Sequence, residues 1–204
     1  MDAIITLSQL YPAVFYSLVF FVSLMVGSFL NVVIYRLPIM MERSWQQEYQ
    51  SYFSEGEPTP HDKNSSASEE VFNLVKPDST CPSCGHKIRA WENVPVISYL
   101  FLKGKCAKCK VGISVRYPLV ELFTALACTF AAYQFGVTSQ ALWAVLFTYI
   151  LVALLFIDLD KMLLPDQLTL PLLWLGLLLS TQHIFVDTTD AIIGAAAGYL
   201  SLWS

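Results

Sequence analysis

Charge is what this chain has least of. Only 14% of its 204 residues are Asp, Glu, Lys or Arg, while 55% are hydrophobic, and soluble domains carry about a quarter charged residues. That shortage excludes disorder and an ordinary water-soluble fold. No basic residue and no A-x-A-like cleavage site accompany the first apolar run, which excludes a cleaved secretory signal. Internal repeats are missing as well, and so is a G-x-G-x-x-G fingerprint for a dinucleotide.

What is present is a series of apolar runs near the roughly 20 residues a helix needs to cross about 30 Å of hydrocarbon. The first covers Tyr11 to Tyr35. Others follow at about Tyr117 to Phe135, Gln140 to Ile157 and Leu168 to Ile184. A backbone alone in lipid has to satisfy its own hydrogen bonds, so each is expected to be helical. A last run, Ala191 to Trp203, is short for a crossing, and the chain reads as cut off inside a fifth span. The expected fold is all-α: a polytopic membrane protein with four full transmembrane helices, a fifth one cut off, and one large loop.

Eleven of the 12 Lys and Arg residues lie between Arg36 and Arg116, and the twelfth is Lys161. The positive-inside rule therefore places both segments in the cytoplasm and the amino terminus outside. Gly136 to Ser139 and Thr181 to Thr189, which lack bases, then fall on the outer side. The organisation expected is a first span (residues 1–37), a cytoplasmic loop domain (38–116) and a second membrane region (117–204).

Within the loop, Trp45, Tyr49, Tyr52 and Phe53 recur at helical spacing and fit either a helix lying at the membrane surface or a simple packing helix. Residues 54–70, SEGEPTPHDKNSSASEE, carry too little apolar surface to offset chain entropy and are expected to be flexible. Cys81-Pro-Ser-Cys84 and Cys106-Ala-Lys-Cys109 form two CxxC pairs separated by 21 residues. Four thiolates on two tight turns suit a tetrahedral Zn²⁺ of structural type, its charge offset by Lys87, Arg89, Lys105, Lys108 and Lys110. Disulfides or a redox pair are the competing readings. His86 reads as a solvated neighbour, and Cys128, mid-span, as a small apolar filler.

Ionisable groups at membrane depth are expensive and each raises a functional question. Glu121 lies one turn into the second span, where it can reach the interface or pair with Arg116. Gly27, Ser28 and Asn31 form a small, polar stripe suited to close helix contact. His183 suits an interfacial position. Asp158 follows directly on a long apolar helix and is expected to be the driest of three nearby carboxylates. Asp160, beside Lys161, is expected to face water. Asp166 follows Pro165 at the start of a helix, a position that capping explains as well as catalysis does. Two carboxylates sharing a proton can activate a water for amide hydrolysis, and the residues alone select neither Asp160 nor Asp166 as the partner of Asp158.

Taken in order, Gly27-Ser-Phe-Leu-Asn-Val-Val-Ile-Tyr-Arg-Leu-Pro38, the CxxC pairs around Trp91-Glu-Asn-Val-Pro95, Arg116-Tyr-Pro-Leu-Val-Glu121 and Ile157-Asp-Leu-Asp-Lys-Met-Leu-Leu-Pro-Asp166 resemble the type IV prepilin peptidases. The resemblance covers the whole chain. It implies a bacterial inner-membrane aspartic endopeptidase that removes the basic leader of prepilins and type II secretion pseudopilins. It also implies methylation of the new amino terminus from S-adenosylmethionine. By position, Asp158 matches the first catalytic aspartate, Cys81, Cys84, Cys106 and Cys109 the zinc ligands, and Gly104 a glycine linked to methyl transfer. Asp160 and Glu121 are candidates to steer the leader's positive charge.

The family's second catalytic aspartate lies in a Gly-x-Gly-Asp motif after the fifth span, and that motif does not occur in these 204 residues. The chain alone is therefore expected to be inactive. The expected partners are prepilins, pseudopilins and the lipid bilayer, with no nucleic acid. A truncated, non-catalytic membrane scaffold with a folded zinc ribbon is the alternative. A small transporter is disfavoured by the lack of repeats and of broken mid-bilayer helices.

Overall fold

A computed structural model describes residues 11–54 and 72–203. Apart from Ser54, the segment expected to be flexible lies outside the described residues. The described fold is helical: α1 (Pro12–Ser54), a short 3₁₀ turn (Ala90–Asn93), α2 (Ile97–Phe101), α3 (Arg116–Phe135), α4 (Ser139–Lys161), α5 (Asp166–Ser180) and α6 (Thr188–Trp203). Among the described residues the only β pairing is two isolated bridges, Thr80 to Lys87 and Lys105 to Gly112.

Three helices, α1, α3 and α4, are long and apolar enough to cross a membrane. The expected fourth span is shorter than its apolar run. Helix α5 is apolar but only 15 residues long, because a turn begins at Thr181 and His183 adopts a positive φ of 51°. Helix α6 has 16 residues.

Helix α1 also departs from expectation, since it does not stop at Pro38. Its 43 residues run through that proline and, at 1.5 Å per residue, reach about 65 Å, roughly twice the hydrocarbon thickness. Trp45, Tyr49 and Tyr52 belong to this same helix instead of forming a separate one. Proline costs a helix one amide donor and crowds the preceding turn. Here its ring is fully buried among packed neighbours, and that burial offsets part of the cost.

The core lies where α1, α3 and α4 meet. Leu30, Val33, Ile34 and Leu37 of α1 recur at intervals of three and four residues and close on Val120 of α3 and on Val152, Ala153 and Ile157 of α4. The small stripe on α1 lets α3 approach closely. A Cβ added to Gly27 would lie 2.9 Å from Glu121 Cα and 3.2 Å from Thr124 Cβ, and Asn31 Nδ2 donates to the Tyr117 carbonyl at 3.1 Å. Ser23 and Tyr149 join α1 to α4 through a 2.8 Å hydroxyl contact. Cys128 is fully buried on α3.

Candidate functional site

The two CxxC segments fold as copies of one turn, offset by 25 residues. In the first, the Cys81 amide donates to the His86 carbonyl at 2.9 Å and the Gly85 amide to the Cys81 carbonyl at 2.9 Å. In the second, Cys106 donates to Val111 at 2.8 Å and Lys110 to Cys106 at 3.1 Å. Gly85 and Lys110, each just after its second cysteine, both have positive φ, at 65° and 61°. A β-bridge closes each turn. The turns face one another, so the four ligand sulfurs lie within 4.8 Å of one another, with Cys81 Sγ and Cys109 Sγ 3.7 Å apart. Four sulfurs at about 2.3 Å from a shared ion would be spaced about this closely, so the donor set fits a tetrahedral Zn²⁺.

Electrostatics give the same reading. Amides of Cys109 and Lys108 donate to the Cys106 sulfur and hold its pKa down at about 6. Cys109 also accepts an amide, from Val111, but burial and the neighbouring sulfurs outweigh it and push its pKa up to about 11. Close thiolates repel one another, and a cation among them would offset that repulsion. His86 is outside the cluster and is not simply solvated: its Nε2 meets Glu92 Oε2 at 3.1 Å. The Arg89 amide and then His86 hold the Glu92 carboxyl below its usual range. Lys87 does the same for Asp78 across a 2.9 Å ion pair.

Gly104 precedes the second turn. Its φ is 66°, and a Cβ there would lie 2.7 Å from the Tyr99 hydroxyl. Its amide donates to the Tyr99 carbonyl at 2.8 Å, while its own carbonyl accepts from Ile113 at 2.7 Å. Both the positive φ and the nearby Tyr99 ring favour glycine at this position.

Two contacts outside the CxxC pairs dock this loop on the helices. Arg36, 8% exposed, donates to the carbonyls of Asn73 at 3.0 Å and Pro77 at 2.7 Å, while Arg43 lies 4.2 Å from the Phe72 ring centroid. Glu121 is 6% exposed, and its Oε2 accepts the Val96 amide at 2.8 Å. Val96 has φ 59° and ψ −47°, and the next amide, Ile97, closes on the Pro95 carbonyl at 2.5 Å. That is a strained three-residue turn held by a buried carboxylate. Arg36 stands within a motif in the sequence, but no periodicity signals what it binds.

The carboxylates at the end of α4 are arranged differently from expectation. Arg116 pairs with Asp160, not with Glu121, and Lys161 pairs with Glu42 of α1 at 3.0 Å. Asp158, Asp160 and Asp166 are all exposed on the surface of the helical bundle. Successive residues on a helix turn by about 100°, so burying Ile157 in the core turns Asp158 out of it. Among the described residues Asp158 belongs to no ion pair. Asp166 opens α5 as expected, directly after Pro165. His183 lies far from this group in the chain and pairs with Asp187 at 2.7 Å.

Comparisons with known proteins match both halves of the chain. Residues 21–135 match the model of the bacterial peptidase A24 N-terminal domain, and residues 145–204 match the type IV leader peptidase family. A prepilin leader peptidase/N-methyltransferase of Aeromonas salmonicida is 55% identical over 204 residues, all of this chain and 68% of the relative. One of Pseudomonas aeruginosa is 50% identical over 194 residues, 95% of this chain and 64% of the relative. One of Neisseria gonorrhoeae is 48% identical over 180 residues, 88% of this chain and 60% of the relative. No solved structure matches the chain.

Proposed function

Because the chain belongs to the type IV prepilin peptidase family, we propose that it is the part of a membrane aspartic endopeptidase that carries the first catalytic carboxylate, Asp158. The carrying observation is the division of labour at the end of α4. Arg116 neutralises Asp160 and Glu42 holds Lys161, so Asp158 is the acid of this turn left outside any described ion pair. Hydrolysis by paired carboxylates needs one acid to polarise the scissile carbonyl while the other, ionised, takes a proton from the attacking water. Asp160 is committed to Arg116, which argues against it as the second acid.

The substrates proposed are prepilins and pseudopilins, whose leader is basic and whose following segment is apolar. With the loop's bases and Lys161 in the cytoplasm and the amino terminus in the periplasm, Asp158 sits at the cytoplasmic boundary of the inner membrane, level with the junction of such a substrate. Glu121, buried and bonded to Val96, holds the loop instead of attracting the leader. Asp166 remains a helix-start carboxylate near the same boundary.

For the four cysteines we propose Zn²⁺, held by Cys81, Cys84, Cys106 and Cys109. When bound it supplies cross-linking of two turns and no open coordination position for chemistry. N-methylation of the new amino terminus, with S-adenosylmethionine as donor, is proposed from the family relationship. Gly104 would serve it by letting Tyr99 and the second turn pack together.

The test extends this chain with a Gly-x-Gly-Asp-containing carboxyl-terminal segment from an Aeromonas relative and assays prepilin cleavage in detergent. Cleavage is expected, with its loss in Asp158→Asn and its retention in Asp166→Asn. Full cleavage by Asp158→Asn would overturn the assignment.

A further inference from the structure

Helix α2 is only five residues long, yet Ile97, Leu100 and Phe101 are 49%, 68% and 84% exposed. They line one shallow surface depression together. Three large apolar side chains clustered on so short a helix are costly in water and call for a covering phase. The depth of α2 in the molecule says which. The Val96 amide that leads into it is bonded to Glu121. Glu121 is five residues into α3, hence about 7.5 Å along a helix whose 20 residues just match the hydrocarbon thickness. Pro95 beside it is buried. The tether therefore holds the start of α2 level with the first turns of a membrane-crossing helix, where the surrounding medium is the headgroup and upper acyl region. Exposed lysines Lys103 and Lys105 follow directly, and basic side chains beside an apolar wedge suit an anionic lipid surface.

We propose that the Ile97, Leu100 and Phe101 face of α2 inserts into the bilayer boundary, so that the metal-knuckle loop is a monotopic membrane element docked against α3. The occupant is lipid. This inference rests on α3 crossing the bilayer and not on peptidase chemistry, so activity and lipid contact are read separately.

The test uses the full-length protein, with Phe101→Trp and separately Leu100→Trp, in nanodiscs of anionic lipid brominated either near the headgroup or at mid-chain. Wild type supplies the background from the native tryptophans. The added tryptophan is expected to emit at shorter wavelength than in water and to lose most of its fluorescence to shallow bromines. Loss to mid-chain bromines should be smaller, and aqueous iodide should quench it little. Water-like emission with strong iodide quenching and no bromine quenching in both variants would overturn the proposal. So would lipid quenching that excess prepilin abolishes, which would assign the face to substrate. Unchanged metal content in both variants confirms that the loop is folded when it is read.

Discussion

The helical body buries Leu30, Ile34, Leu37, Val120, Val152 and Ile157 against one another, whereas among residues 72–112 the buried apolar side chains are Pro95 and two of the loop's own cysteines, Cys81 and Cys106. One region is ordered by apolar packing distributed over three helices. The other depends on a few local devices: a sulfur cluster, two bridges, and docking through Arg36 and Glu121. Damage to the first should be partial and spread through the body, while damage to the second should be abrupt and confined to the loop.

The strongest way to break the comparison is Cys84→Ser. A structural zinc site is worth on the order of 10 kcal/mol of folding free energy, so on the zinc assignment proposed above this change should release the ion and expose residues 72–112 to protease. The helical signal of α3 and α4 should persist. Metal analysis with limited proteolysis checks it, and an intact, metal-free, protease-resistant loop would refute the account.

In the body, Gly27→Leu drives side-chain atoms into the backbone of α3 at Glu121. Overpacking of this kind costs about 1–3 kcal/mol, seen as a lower thermal midpoint with metal content unchanged. Gly194→Ala, where no heavy atom lies within 4 Å of the added Cβ, should show no such loss.

Glu121→Ala tests the joint between the regions. It leaves the Val96 amide without its acceptor, at about 1–3 kcal/mol. Faster hydrogen exchange around Val96 should appear while the ion stays bound, and Glu121→Gln, which keeps a carbonyl acceptor, should recover part of the protection.

Acidification sharpens the picture of the loop. The metal-free Cys109 thiol, at about 11, is protonated at neutral pH and must release its proton to bind the ion, whereas Cys106, at about 6, is already mostly thiolate. Apparent zinc affinity should therefore fall by at least roughly tenfold for each pH unit lost below neutrality, and more steeply below about pH 6. Competition with a chromophoric chelator measures it. The smallest effect expected is that of Lys161→Ala: its half-exposed pair with Glu42 is worth less than about 1 kcal/mol, and thermal unfolding should barely move.

Much of this was readable beforehand because its causes are local in sequence. Uninterrupted apolar runs place α3 and α4 to within a few residues, since a segment in lipid has no alternative to the helix. The two CxxC pairs announce a four-sulfur cluster because each pair sits on one tight turn. Pro38 misled the reading of α1 because proline's cost is local while its compensation, burial against other helices, is not. The orientation of Asp158 was not legible for a related reason. A long apolar helix says that its end is near the core, but which side of that end faces inward depends on the neighbours that bury Ile157.

The amino-acid order thus determined the helical membrane architecture, the sulfur cluster and the family, each following from hydrophobicity or spacing along the chain. Tertiary structure alone decided that Arg116 takes Asp160, that Glu121 receives the Val96 amide, and that Asp158 is left turned out of the core. The first two join residues 44 and 25 positions apart and the third sets Ile157 against α1, far earlier in the chain, so no local pattern encodes them.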